Sequence, residues 1–226
     1  ERLEAGKELT FRRMYVDLGA ASQKEAQSLV RVGEMAALSQ RVELAGGRLV
    51  GKALDDRAGC AVLVRVLQEL RHCPHDLYCV FTVQEEVGRR GAWTAAYQVE
   101  PDLAVVVDVT PAGDTPEPEQ RGVALGKGPA VKVMDRSVIS HPQVRRLLAE
   151  TAERHGIPFQ WEVLERGGTD AGSIHVSRSG VPTGALSLPA RYLHTPNEMV
   201  DLEDLRCAAL LLVRFLEEPL EERFLR

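Results

Sequence analysis

A chain of 226 residues, 44% hydrophobic and 27% charged, is long enough to bury a substantial core as one large domain or as one domain plus a fragment. A net charge of −5 and the lack of any basic run argue against a nucleic-acid partner. No apolar stretch reaches bilayer-spanning length and no signal peptide is visible, and Cys60, Cys73, Cys79 and Cys207 are scattered without CxxC spacing, so the expectation is a cytosolic protein with reduced thiols and no membrane partner.

In chain order, residues 1 to about 48 are loosely patterned. Phe11 to Asp17 reads as a strand, and Ser22 to Leu29 as a short helix, with Ser22 and Glu25 spaced as a capping box. Val30–Gly33 and Met35–Leu44 suggest further short strands, and Gly46-Gly47 is a turn. This is too little core for an independent domain, so 1–48 is expected to be the incomplete C-terminal part of a small β-rich domain. From 49 onward the pattern changes. A strand over 49–54 ends at Asp55-Asp56, and Ala58 to Leu70, apolar nearly all round, predicts a buried helix. Then follow a strand (77–83), a helix (92–99), an apolar strand (103–109), a polar loop, a strand (130–134), a helix (141–155) capped by Ser140 with Pro142 in its first turn, a strand (159–164), a helix (169–178) and a strand (183–188). A last helix from Asp201 carries Leu205, Ala208, Leu212 and Leu216 on one stripe. Alternating strands and helices predict one α/β domain over 49–226, with a parallel sheet covered on both faces in a three-layer α/β/α arrangement.

Acidic residues gather where such strands end. Glu85-Glu86 follows the apolar run 77–81, Asp108 closes Leu103–Val107, Asp55-Asp56 follows the first strand, and His194 lies in a Tyr-Leu-His-Thr-Pro turn. Each has a bland alternative: Asp55-Asp56 as a helix cap, Glu85-Glu86 as a solvated pair, His194 as a surface histidine. Asp108 is harder to dismiss, because a carboxylate ending a buried strand is costly unless paired or bound to a cation. In open α/β sheets, carboxyl ends of strands face one ligand-binding edge. Hard oxygens with one imidazole suit Zn²⁺, Co²⁺ or Mn²⁺, and clustered carboxylates without a cation would repel one another. Gly46-x-x-x-x-Gly51-Lys52 nearly matches a phosphate-binding loop, but Ala53 stands where a Ser or Thr is needed; HExxH and GxSxG are absent.

The segments GKALDDRAG, TVQEEVGRRG, VVVDVT, GGTDAG and RYLHTPNEMV together resemble the dinuclear tetrahedral aminopeptidases of peptidase family M42, also called glutamyl or deblocking aminopeptidases and in some cases labelled cellulases. The resemblance covers about 48–217, and residues 10–45 are similar to the latter part of that family's inserted β-barrel domain. It implies two divalent ions, Zn²⁺ or Co²⁺. Asp55 would bridge them, Glu86 and His194 would complete one site, and Asp108 would join Asp55 at the other. Asp56 would follow Asp55 through what is often a cis peptide. Glu85 would be the general base that takes a proton from the attacking water and delivers it to the leaving amine. Gly167, Gly168, Thr169 and Asp170 would line the site, with a plain helix cap at Thr169 or Asp170 equally open.

One departure stands out. The family's second site also takes a histidine from an upstream HxD motif, and His72, His75, His141, His155 and His175 have no such context. The expectation is therefore that residues 1–226 alone hold at most one metal tightly and show negligible peptidase activity. The full-length relative is expected to be a cytoplasmic homo-oligomer, dodecameric in the family, acting on peptides. The competing readings are a glycoside hydrolase, which would leave Asp108 and His194 unexplained, and a non-catalytic scaffold that keeps the fold.

Overall fold

The computed structural model describes residues 14–118 and 122–219, and the chain divides into two compact units, Glu1–Ser39 and Gln40–Arg226. In the first, the one regular element among the described residues is α1 (Gln23–Leu29). Ser22 Oγ accepts the Glu25 N–H at 3.2 Å, and Glu25 Oε2 reaches back to the Ala21 N–H at 2.8 Å, so the Ser-Glu pair caps the helix start as the sequence predicts. The strand expected at Val30–Gly33 is absent, and of Met35–Leu44 only the last two residues enter β1 (Glu43–Ala45). Val32 and Met35 are fully exposed, so apolar character here is not matched by anything that buries it. The strand expected over Phe11–Asp17 begins outside the described residues, and 14–17 are not strand.

The second unit is built on a seven-stranded sheet among the described residues: β1, β2 (Arg48–Gly51), β7 (Glu198–Asp201), β6 (Thr183–Arg191), β4 (Ala130–Met134) and β5 (Gln160–Val163) in spatial order, with β3 (Ala104–Pro111) paired to β6. The sheet is mixed, not parallel. Pairs β3–β6 and β4–β5 run parallel; β1–β2, β2–β7, β6–β7 and β4–β6 run antiparallel. The Gly46-Gly47 turn, both residues at positive φ, makes the β1–β2 hairpin. Strand β7 was not anticipated: four residues with polar ends carry little periodic signal, and it forms because β2 and β6 flank it.

Helices α2 (Leu54–Glu69), α4 (Pro142–Arg154) and α6 (Leu202–Glu217) cover one face; α3 (Arg90–Val99) and α5 (Ala171–Ile174) lie on the other. Strand alternation feeds both layers. Val105, Val107 and Val109 pack into the larger core with Val62, Leu148, Leu186 and Leu211, while Val106 and Ala185 pack against Ala171. The α6 stripe behaves as its sequence predicts, with Leu205, Ala208 and Leu212 buried and Asp201 capping through the Glu203 N–H at 2.9 Å.

Three expectations fail. Residues 77–83 form no ladder despite their apolar, β-favouring sequence; Tyr78 and Val83 are 66% and 68% exposed, because a strand needs a partner as well as a pattern. The helix expected over 169–178 shrinks to α5, in a stretch that carries Gly172, Ser173 and Ser177, all weak helix formers. Helix α4 starts at His141 without a side-chain cap, and the Ser140 Oγ expected to cap it makes no hydrogen bond.

Candidate metal centre

The first acidic pair sits where β2 gives way to α2. Ala53 takes a left-handed conformation, the Asp55–Asp56 peptide is cis, and both aspartates have non-helical backbone angles. Asp56 turns inward: its Oδ1 accepts the Gly59 N–H at 2.9 Å, and any Cβ at Gly59 would fall 2.3 Å from the other oxygen, so only glycine fits there. Asp55 is thereby turned the other way, toward His194.

His194 Nε2 lies 3.0 Å from Asp55 Oδ2 and 3.5 Å from Glu86 Oε2. The ligand atoms of these three residues all fall within 4.8 Å of one another, the geometry of a cation site. The three come from separate stretches: the β2–α2 junction, the segment before α3, and the β6–β7 turn. Left-handed, non-glycine backbone marks each stretch: Ala53, Gln84, Arg89, Tyr192 and His194. Such conformations cost about 1–3 kcal/mol each and persist where surrounding contacts enforce them.

The left-handed His194 and the backbone of Asp55 are both held by Glu198, a residue with no role expected from sequence. Glu198 is 2% exposed; its Oε2 accepts the Asp55 N–H and its Oε1 the His194 N–H, both at 2.9 Å. One buried carboxylate thus pins two of the three converging residues through their backbones. Its only sequence signal is a glutamate four residues after the histidine, opening a short apolar run.

Asp108 is on β3 with its side chain on the α5 face, two residues along from Val106. It does not join the three-residue cluster, but it belongs to the same acidic field. Burial first, then the charges of Asp56, Asp55 and Glu85, push its carboxyl up to about 9. The neighbours respond alike. Asp56 is pushed up to about 8, chiefly by burial, Glu85 to about 7 by burial and then Asp170, and Asp55 to about 6 by burial and then Glu86. Four carboxyls that all resist ionisation are a donor set short of positive charge, and divalent cations supply it. The residues present therefore fit a metal.

Glu85 is set by a tight turn: its carbonyl accepts the N–H groups of Gly88 (2.9 Å) and Arg89 (2.7 Å). Of the predicted lining residues, Gly167 is left-handed and its carbonyl accepts the Arg136 N–H at 3.2 Å. Gly168 lies against Ser137 and Arg89. Thr169 is buried and turned away, donating to Asp135 Oδ2 at 3.3 Å. Asp170 opens α5 without capping it; its Oδ2 accepts from Thr82 Oγ1 at 2.6 Å. Asp135 holds this loop from below, accepting from Ser137 N and Oγ (2.7 Å each) and Val138 N (3.0 Å). Beside it the fully buried Lys132 pairs with Glu162 at 2.8 Å, and Glu162 also accepts from Thr110 and Ser187.

Comparison with known proteins agrees with this geometry. The family model described as M42 glutamyl aminopeptidase matches residues 1–211. A protein of Acetivibrio thermocellus named as an aminopeptidase is 51% identical over 213 residues, 94% of this chain and 64% of the relative. The solved aminopeptidase APDkam598 of Desulfurococcus kamchatkensis matches with a TM-score of 0.89 at 42% identity, over 96% of this chain and 62% of that one. The TET1 peptidase of Pyrococcus horikoshii, described as able to assemble into a tetrahedron or a large octahedral shell, matches with a TM-score of 0.76 at 32% identity, over 90% and 60%. The chain spans less than two thirds of the length of each of these relatives.

Proposed function

The chain belongs to the M42 glutamyl aminopeptidase family, and from that premise we propose that it releases N-terminal residues from peptides by hydrolysis. The observation that carries the reading is the convergence of Asp55, Glu86 and His194 with Glu85 beside them in sequence. Asp55, Glu86 and His194 would hold one divalent ion, Zn²⁺ or Co²⁺, and Asp55 with Asp108 would contribute to a second site. When bound, the ions polarise the scissile carbonyl and make water a better nucleophile. Asp56 holds the turn that aims Asp55, and Glu198 fixes Asp55 and His194 by their backbones.

Glu85 moves the proton. It takes a proton from water as the oxygen attacks the carbonyl carbon. It returns that proton to the peptide nitrogen as the C–N bond breaks, so the amine leaves neutral and Glu85 is regenerated. Gly167, Gly168 and Asp170 form the wall beside it, with Thr169 tied behind them to Asp135.

The substrates are peptides with a free N-terminus. The working form is a homo-oligomer, a reading supported by the assemblies described for the Pyrococcus horikoshii relative. Four free cysteines support a reducing, cytoplasmic setting. A glycoside hydrolase would need only two carboxyls flanking a sugar, and would leave the histidine and the Asp108 field without a task. Incubating the intact, metal-loaded protein, not residues 1–226 alone, with leucine and glutamate anilides and with carboxymethyl cellulose decides between them. Release of the anilide chromophore is expected, and cleavage of cellulose alone would overturn the reading.

A further inference from the structure

We propose that Asp170 receives the free α-ammonium group of the substrate, so that this side chain restricts the site to chain ends. The inference rests on the aminopeptidase reading and deepens it. Asp170 is only 8% exposed, and its two oxygens are treated differently: Oδ2 accepts from Thr82 Oγ1 at 2.6 Å, while Oδ1 is buried without a hydrogen-bond partner. A buried carboxylate oxygen left unpaired costs more than the hydrogen bond it forgoes, so such an atom points to a donor that arrives from outside.

The location suits that donor. The Asp170 carboxyl is held by Thr82, three residues before the proposed base, and after burial it is the strongest influence on Glu85. It lies outside the converging cluster of Asp55, Glu86 and His194. Nor, among the described residues, does the Arg89 guanidinium satisfy Oδ1. The Arg89 guanidinium forms no ion pair with Asp170; its Nη1 lies over Gly168 and Gly172, where a Cβ would approach it to 2.9 and 2.4 Å. From there its charge favours the ionised form of Asp170 without covering Oδ1. An exopeptidase must recognise an ammonium group one carbon away from the scissile carbonyl, hence within a few ångströms of the base. A primary ammonium brings three donors and a positive charge to an oxygen that has neither.

The test compares two ligands of one shape on the metal-loaded protein: leucinamide and 4-methylpentanamide, which lacks only the amino group. Inhibition constants against leucine anilide are measured for the wild type, Asp170→Asn and Thr82→Val. The wild type is expected to bind leucinamide at least 100-fold more tightly than the desamino amide. In Asp170→Asn that preference falls at least tenfold, with binding of the desamino amide and metal content unchanged. Thr82→Val, which removes only the hydroxyl that steadies the carboxylate, shows a smaller fall in the same direction, and serves if Asp170→Asn does not fold. An unchanged preference in Asp170→Asn, or an equal loss of both amides, would overturn the proposal while leaving the aminopeptidase reading intact. A wild type that cleaves no anilide and binds neither amide would overturn both.

Discussion

Two stretches bring functional groups to the candidate site in opposite ways. The first, β6 through the turn to β7 and α6, is anchored in the core. β6 is buried along its length up to Arg191, Glu198 at the start of β7 is 2% exposed, and α6 packs Leu205, Ala208 and Leu212 behind it. His194 is exposed itself, but its backbone is tied to a buried carboxylate. The second, residues 77–91, carries Glu85 and Glu86 with no ladder, and Leu77, Tyr78, Val80, Phe81 and Val83 are all exposed. It is held by the Thr82–Asp170 hydrogen bond, the Gly88 and Arg89 N–H groups on the Glu85 carbonyl, and the Gly91 N–H on the Val83 carbonyl at 3.0 Å. The lesson is a division of labour. In the core-anchored stretch, fold stability and metal affinity share the same contacts. In the loosely held stretch, chemistry can be lost without loss of fold.

The largest expected effect separates two adjacent residues of the loose stretch. Glu85→Gln lowers turnover by roughly 10²–10⁴-fold, the usual worth of a positioned acid-base group, and keeps its metal. Glu86→Gln loses bound metal. Equal metal loss in the two, measured by elemental analysis beside anilide turnover, would mean that their roles are reversed.

In the anchored stretch, Glu198→Ala leaves the Asp55 and His194 N–H groups unpaired in a buried setting. Metal affinity is expected to fall about 10–100-fold, and unfolding free energy by about 2 kcal/mol. Chelator competition and denaturant titration read the two losses together. Weaker metal binding with stability unchanged would break the contrast between the stretches.

The acidic field gives a third, smaller effect whose sign can be fixed. Asp56 and Asp108 have folded-state values of about 8 and 9 against an ordinary 3.8, so the folded state holds protons that the unfolded chain has released. Metal-free stability is therefore greatest below about pH 4 as far as these groups are concerned, declines as pH rises, and reaches its low plateau above about pH 9. Asp108→Asn removes one such penalty and is expected to stabilise the metal-free protein at pH 8 by on the order of 2 kcal/mol. Added zinc should reverse the ranking, favouring the wild type. Thermal denaturation with and without zinc checks both signs; a metal-free wild type that gains stability from pH 5 to pH 9 would contradict the account. The smallest effect is that of Thr82→Val, which removes one side-chain hydrogen bond. A loss of about 1 kcal/mol in transition-state stabilisation, with metal content unchanged, is expected from single-turnover rates.

Much of this was legible in the sequence, and the failures follow the same contrast. The core elements were found because apolar periodicity coincides with burial: the α6 stripe and β4 lie where their patterns put them, whereas α2, read as buried nearly all round, leaves Val64 and Leu67 45% and 51% exposed. The segment 77–83 has an equally good strand pattern and no ladder, because a one-dimensional pattern does not report whether a partner strand is present. Short elements such as β7 and α5 have too few residues to show a period. Asp55, Glu86 and His194 stood out as polar groups ending apolar runs, and they do converge. Glu198 and Asp135 did not stand out, since a carboxylate that accepts backbone N–H groups looks in sequence like any other acidic residue. The sheet was read as parallel because strands and helices alternate; the antiparallel β2, β7 and β4 pairings depend on strand order, which alternation does not specify.

The account turns on Asp55, Glu86 and His194 sharing one cation, and an anomalous difference map at the zinc edge, from a crystal of the zinc-loaded protein, tests this directly. The account predicts a peak about 2.0–2.2 Å from a carboxylate oxygen of Asp55, one of Glu86 and Nε2 of His194. Zinc bound elsewhere, with these three side chains making no contact to it, would contradict the account.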